Sequence, residues 1–129
     1  MKLSVLIAGL AIAFSALAQD SRDSLFLSAR DAYRARDLNK LERVANQLGP
    51  HELSSYVESY QLRLLMDQGN SAAMQDFFSR NEKSYVTEKL RADWLRWLGK
   101  RAAWNEVETE YAMLLAPEAD VTCYNQKAR

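Results

Sequence analysis

The stretch from Leu90 to Leu115, LRADWLRWLGKRAAWNEVETEYAMLL, contains two apolar stripes and all three tryptophans of the chain. Apolar residues that recur every three or four positions line one face of a helix. The first stripe consists of Leu90, Trp94, Trp97 and Leu98, and the second of Trp104, Val107, Tyr111 and Leu114. Gly99 lies between them, and a glycine can adopt the left-handed conformation that ends a helix. The stretch therefore predicts one complete helical hairpin.

The rest of the chain from Ser21 onward carries helix signals only. Pro50 and Pro117 both lie between apolar-periodic segments, and no segment of strand length alternates with period two. Asp or Asn before an apolar run predicts a helix start, because its side chain accepts N–H groups of the first turn. The predicted helices are Leu38 to Leu48 after Asp37, Glu52 to Asp67 before Gly69, and a helix from Asn70 to about Arg80.

These segments repeat with a period of 33 residues, in which Asp37, Asn70 and Ala103 each open the second helix of a hairpin. The same step relates apolar positions in both helices, namely Ala29, Leu62 and Leu95; Ala32, Leu65 and Leu98; Leu41, Met74 and Val107; and Ala45, Phe78 and Tyr111. A two-helix unit of about 33 residues is typical of a solenoid, where each hairpin buries its apolar face against its neighbours. The sequence predicts an all-α, TPR-like superhelix with three complete hairpins and the start of a fourth.

The repeat also places an unfinished unit after Asp120. Leu95 plus 33 is Ala128, so this segment corresponds to the first helix of a fourth hairpin. A terminal solenoid repeat normally has a polar outer face and a completed cap. We therefore expect a superhelical domain over residues 19–129 that is truncated at its C-terminal end, as in an N-terminal fragment of a longer gene product.

Residues 1–18 are interpreted as a signal peptide. Lys2 precedes a mostly apolar run, and Ala16-Leu17-Ala18 matches the small-x-small site that signal peptidase cleaves. The run is shorter than the roughly 20 apolar residues of a membrane span, although an N-terminal membrane anchor is the alternative. Gln19 follows the site, so a lipid anchor has no cysteine for attachment. The mature chain is expected in the periplasm, without a stable membrane anchor.

Composition argues against several function classes. The chain has 17 basic and 17 acidic side chains, and this balance argues against nucleic acid, whose binding needs a dense field of Lys and Arg. Cys123 is the only cysteine, which in an exported protein suggests an intermolecular bridge or a missing partner further along the gene. His51 is the only histidine and is expected in the turn that Pro50 opens. No metal site and no cofactor are predicted, since a His-based site would lack its ligands.

The glutamates are predicted to lie on solvated helix faces rather than to form a catalytic pair. Glycoside cleavage requires two carboxylates that face each other across the bond. Glu106, Glu108 and Glu110 are two residues apart, which spreads them around a helix, while Glu42 and Glu52 lie elsewhere. No residue is assigned a catalytic role.

The basic and aromatic residues of the hairpin are also interpreted as structural. Lys89, Arg96 and Lys100 lie near one helix face, where Asp93 cancels much of their field. The tryptophans could stack on sugars, but their apolar periodicity favours packing in the core. These tryptophans are Trp94, Trp97 and Trp104.

Several runs resemble the N-terminal helical domain of the soluble lytic murein transglycosylases of Gram-negative bacteria. The runs are Arg91-Ala92-Asp93-Trp94-Leu95, Leu98-Gly99-Lys100-Arg101, Trp104, and Val121-Thr122-Cys123-Tyr124 after the second helix. The tyrosine-rich run from Tyr56 to Tyr60 and the pair Phe77-Phe78 also match the positions of that family's hairpins. The similarity covers roughly Ser24 to Arg129, nearly all of the expected mature chain.

The resemblance implies a periplasmic enzyme whose α-superhelix closes into a ring and supports a C-terminal lysozyme-like domain. That domain cleaves peptidoglycan between N-acetylmuramic acid and N-acetylglucosamine to a 1,6-anhydro product, with one glutamate acting as acid and then base. Glycan strands are thus the implied partner, through the full-length enzyme. The resemblance also implies that Cys123 forms a disulfide with a cysteine in the following part of the superhelix.

The dipeptide Glu58-Ser59 matches the family's catalytic Glu-Ser by chance. It lacks the Gly-Leu-Met-Gln and Ala-Tyr-Asn-Ala-Gly runs that accompany the family's active site, so these residues are expected to form part of a scaffold only. A second hypothesis remains open, in which the chain is a periplasmic protein-binding module that holds a partner peptide on a concave solenoid face.

Overall fold

A computed structural model describes residues 21–129, and every regular element within them is helical. The α-helices are α1 (residues 21–34), α2 (Leu38–Leu48), α3 (Ser54–Leu64), α4 (Ser71–Arg80), α5 (Tyr85–Lys100), α6 (Trp104–Met113) and α7 (Ala119–Ala128). A 3-10 turn at Met66–Gln68 follows α3. The all-α helical-hairpin fold is confirmed: α5 packs against α6, and α6 packs against α7. The predicted signal peptide lies outside the described residues.

The helix starts follow from capping side chains. The Asp37 carboxylate accepts the N–H of Lys40 at 3.0 Å, and the Asn70 side chain accepts the N–H of Ala73 at 3.1 Å. Each such cap satisfies a helix N–H group that lacks an intrahelical partner, and it stabilises the helix by about 1 kcal/mol. The prediction that Asp37 and Asn70 open helices is confirmed.

The helix predicted from Glu52 to Asp67 is shorter, because its ends form tighter turns. His51 Nδ1 accepts the N–H of Leu53 at 3.1 Å, which holds a turn before α3 begins at Ser54. The position of His51 in the turn is thus confirmed. At the other end α3 stops at Leu64 and the 3-10 turn completes the segment.

The turn inside each hairpin repeats the same backbone conformation. Arg36, Gly69 and Ala102 have φ values of 55°, 64° and 57°, and each precedes the first residue of the second helix by two positions. The three residues are spaced by 33, so the sequence repeat recurs in the backbone. A left-handed conformation is uncommon for residues other than glycine. An arginine and an alanine adopt it at two of these three positions, so the turn geometry recurs although the residue type changes.

The prediction that Gly99 ends the first helix of its hairpin is wrong. Helix α5 continues through Lys100, and Ala102 takes the left-handed position. Gly99 is buried against α7, where an added Cβ would lie 2.4 Å from Cδ1 of Tyr124. Its missing side chain therefore permits close approach of α5 and α7. A turn and a close approach both favour glycine, so the local sequence does not distinguish them.

The described part of the chain divides into two compact units, with the boundary between Gln61 and Leu62. In the first unit, buried apolar residues of α1, α2 and α3 form the core, and the half-buried rings of Tyr33 and Tyr60 stack with centroids 4.6 Å apart. In the second unit, α5 is central and packs against α4, α6 and α7. Its core includes Phe77, Phe78, Leu90, Trp94, Leu95, Leu98, Val107 and Val121.

Candidate functional site

The polar side chains that could form a site lie mainly around α5. Within residues 21–129, no three His, Cys, Asp or Glu side chains are grouped so that they could hold a metal ion. The same part of the chain contains no helix with the length and apolar character needed to cross a membrane. The exposed Cys123 has a free thiol.

A buried ion pair joins α5 to α6 and is supported by α4. Arg91 Nη1 lies 2.7 Å from Glu110 Oε2, and the Gln75 amide donates to the other carboxylate oxygen. The Arg91 guanidinium also lies 4.3 Å from the centroid of the Phe78 ring. Removing one partner of a buried ion pair leaves an uncompensated charge, so the two side chains depend on each other.

Glu110 corrects the prediction that the glutamates of α6 are solvated. Its residue surface is only 3 % exposed, because it lies three residues after the fully buried Val107 on the same face of α6. The prediction holds for Glu106 and Glu108, which are exposed, and for Glu42 and Glu52. The i, i+3 spacing from Val107 was a usable signal, but Arg91 lies 19 residues away in sequence. Because Glu110 pairs with Arg91, its carboxylate is not available as one of two facing carboxylates.

A second ionic cluster links α5 to the start of α7 through Arg96. Arg96 Nε and Nη2 lie 2.6 and 3.0 Å from the two carboxylate oxygens of Asp120. Arg96 also donates to Asp93 at 2.8 Å and to Glu118 at 3.2 Å. The Arg96 hydrogen bond holds the pKa of Asp120 below its usual value, and the bond to Asp120 raises the pKa of Arg96.

The basic side chains of this cluster are paired with acidic ones. Lys89 pairs with Glu118 at 3.3 Å, and Arg63 pairs with Asp93. The prediction that Asp93 offsets the basic face is confirmed for Arg96, while Lys100 is exposed at the end of α5. Surface potentials depend on the summed charge, so this face does not favour a polyanion.

The three tryptophans differ in how deeply they are buried. Trp94 is fully buried, which confirms the core prediction for this residue, whereas Trp97 and Trp104 are half-buried. The rings of Trp94 and Trp97 stack with centroids 4.9 Å apart, and the Arg101 guanidinium lies 3.8 Å from the Trp97 centroid. Trp97 Nε1 donates to Asp67 at 3.1 Å. An aromatic ring that stacks on a sugar needs an accessible face. The Trp97 ring instead contacts the Trp94 ring and the Arg101 guanidinium.

Clefts of the second unit lie beside the start of α5, between α6 and α7, and at the start of α6. A cleft of about 170 Å³ lies beside the start of α5 and includes Arg91, Glu88, Met113 and Leu115 in its wall. Glu88 is already engaged, because it accepts the N–H groups of Leu115 and Ala116 at 2.9 to 3.1 Å. The second cleft, between α6 and α7, has a volume of about 440 Å³. It is lined by Glu108, Tyr111, Ala112, Leu114, Pro117, Asn125 and Arg129. None of these clefts was predicted from the sequence.

Comparison of the chain with protein-family models, curated proteins and solved structures finds no match. What the arrangement can do chemically is limited: its ionic groups neutralise one another, and they connect helices.

Proposed function

We propose that this chain is the N-terminal scaffold segment of a periplasmic soluble lytic murein transglycosylase. In such an enzyme a lysozyme-like domain cleaves peptidoglycan glycan strands to 1,6-anhydro products, and the helical segment supports that domain. The observation that carries the proposal is the sequence resemblance of the runs Arg91–Leu95, Leu98–Arg101 and Val121–Tyr124 to that family's N-terminal helical domain.

The packing of these runs supports an architectural role for the residues that carry the resemblance. Trp94 fills the core of the second unit, and Gly99 receives the ring of Tyr124. Arg91 forms the buried pair with Glu110. The contacts of Arg91 and Gly99 join α5 to α6 and α7, so these two residues of the runs act in helix packing.

The carboxylates also fit a scaffold better than a reaction centre. A general acid in glycoside cleavage needs a raised pKa and a position that faces the substrate. The pKa of Asp120 is shifted in the opposite direction by Arg96, and the Glu110 carboxylate is enclosed in an ion pair. Glu58 lies within α3 and is half-buried. We assign no catalytic, cofactor-binding or metal-binding residue.

The proposal includes the compartment. Ala16-Leu17-Ala18 would direct cleavage of residues 1–18 and release of the chain into the periplasm without a stable membrane anchor. Peptidoglycan glycan strands would be the partner, through the full-length enzyme. Nucleic acid is not expected, given 17 basic and 17 acidic side chains.

The test uses the product of the reading frame that contains this chain. Purified product is incubated with peptidoglycan sacculi, and the released muropeptides are identified by mass spectrometry. We expect 1,6-anhydromuropeptides from that product and none from residues 19–129 alone. A reading frame without a lysozyme-like segment, together with intact sacculi, would reject the enzyme and favour a periplasmic protein-binding module.

A further inference from the structure

The connection between α6 and α7, residues 114–118, exposes all of its side chains except that of Leu114, which is half-buried. We call this segment the strap. Its largest exposed side chain, Leu115, is 69 % exposed. Segments with few buried apolar contacts open at a lower free energy than the core of their domain. The strap is therefore held to the second unit mainly by polar contacts rather than by apolar packing.

The polar contacts of the strap come from the first turns of α5. Both oxygens of the Glu88 carboxylate accept the backbone N–H of Leu115, at 3.0 and 3.1 Å, and one of them accepts that of Ala116 at 2.9 Å. At the end of the strap, the Glu118 side chain pairs with Lys89 at 3.3 Å. A hydrogen bond to an ionised acceptor is stronger than one between neutral groups. Glu88 is therefore the group that fixes the backbone of the strap.

The connections α2–α3 and α4–α5 are held differently, by side chains close to them in sequence. Between α2 and α3, the Ser54 hydroxyl donates to the His51 carbonyl at 2.7 Å. Between α4 and α5, the hydroxyls of Ser84 and Thr87 both donate to the Asn81 carbonyl at 2.7 Å. The strap depends instead on a carboxylate 27 positions away from the first N–H that it accepts. It can therefore be released by a change at one remote group.

The strap also forms part of the wall of the cleft of about 170 Å³ beside the start of α5. Leu115 lines this cleft together with Glu88 and Arg91. The Arg91 side chain is only 9 % exposed, and that of its partner Glu110 is 4 % exposed. Movement of the strap away from Glu88 would widen the cleft and bring water to this buried ion pair.

We propose that the strap is a salt-responsive gate, which opens by release from Glu88 while α5, α6 and α7 stay packed. The packing of α7 does not run through the strap, because Val121 is fully buried and Gly99 of α5 receives a ring of α7. Dissolved ions screen exposed charges, so added salt weakens the attachment at Glu118 and favours the open state. The proposal does not depend on the enzymatic assignment, since a scaffold and a binding module would both contain this gate.

The test is hydrogen exchange of single amides, followed by NMR in the isotope-labelled chain. The Leu115 and Ala116 amides should be protected in the parent and should exchange roughly tenfold faster in Glu88→Ala, which removes their charged acceptor. Glu88→Gln keeps an acceptor oxygen without the charge, so its exchange rates should lie between those of the parent and of Glu88→Ala. The Val121 amide of α7 should keep its rate in both variants.

A matched control and two further measurements make the test specific. Glu82→Ala removes a carboxylate that lines the same cleft but does not accept the strap amides, so it should leave their rates unchanged. Local opening exposes little surface, so the Leu115 rate should hardly depend on low urea, whereas added NaCl should raise it roughly twofold or more. The Arg91 Nε–H should exchange faster in Glu88→Ala than in Glu82→Ala.

Unprotected strap amides in the parent, or equal rates in Glu88→Ala and Glu82→Ala, would overturn the proposal. So would a Leu115 rate that follows the urea dependence of the Val121 amide, because the strap would then open only when α7 unfolds. A strap that does not respond to salt, or an Arg91 Nε–H that does not respond to Glu88→Ala, would also overturn it as a salt-responsive gate to the ion pair.

Discussion

Replacing Glu110 by alanine should destabilise the chain far more than replacing its exposed neighbour Glu108. Glu110→Ala leaves the Arg91 guanidinium without the carboxylate that lies 2.7 Å away, in a site where both residues are buried. Breaking a buried ion pair in this way costs about 3 to 5 kcal/mol. For a unit of this size, each kcal/mol lowers the melting temperature by roughly 4 to 8 °C. The melting temperature, measured by circular dichroism, should therefore fall by more than about 10 °C.

The control and the double variant identify the cause. Glu108→Ala removes an exposed side chain and should change the free energy of unfolding by less than about 0.5 kcal/mol. Arg91→Met combined with Glu110→Leu replaces the pair by apolar groups and should recover most of the loss, because no buried charge remains unpaired. Equal melting temperatures for Glu110→Ala and Glu108→Ala would refute the buried pair. A double variant less stable than Glu110→Ala would show that the loss does not come from an unpaired Arg91.

Three further predictions concern the core, the α5–α7 contact and the ionic cluster. Trp94→Ala should cost about 3 to 5 kcal/mol in urea unfolding, because the ring is fully buried; a thermal melt within about one degree of the parent would contradict this. Gly99→Ala should raise hydrogen exchange of α7 amides, since its Cβ would lie 2.4 Å from the Tyr124 ring; unchanged exchange would show that the ring moves aside freely. The pKa of Asp120 is lowered in the folded chain, so its pair with Arg96 stabilises above the ordinary pKa of 3.8 and is lost as pH falls below it. Unfolding followed between pH 5 and pH 3 should show a smaller loss of stability for Asp120→Asn than for the parent, and identical pH profiles would exclude this contribution.

The starts of α2 and α4 were predictable because their determinants are local. Asp37 and Asn70 cap the helices they precede, and the apolar period defines the faces that are buried. The roles of Gly99 and Glu110 were not predictable in the same way. Each depends on a side chain from another helix, Tyr124 for the glycine and Arg91 for the glutamate. A periodic pattern gives the face of a helix, but the identity of the residue across the interface is a tertiary property.

The cleft between α6 and α7 was missed for a related reason. Asn125 is a polar residue at the repeat position of Ala92, so an apolar pattern gives it no weight.

The recurrent left-handed turn has a consequence for how the length of this protein can change. Arg36, Gly69 and Ala102 occupy one position of a 33-residue unit, so the backbone returns to the same state after each unit. Duplication or deletion of one whole unit would join two turns of identical geometry and keep every helix face in phase. An insertion of any other length within a helix would rotate the following face by about 100° per added residue. Changes in length by whole units would therefore keep the helix faces in register, whereas other insertions within a helix would not.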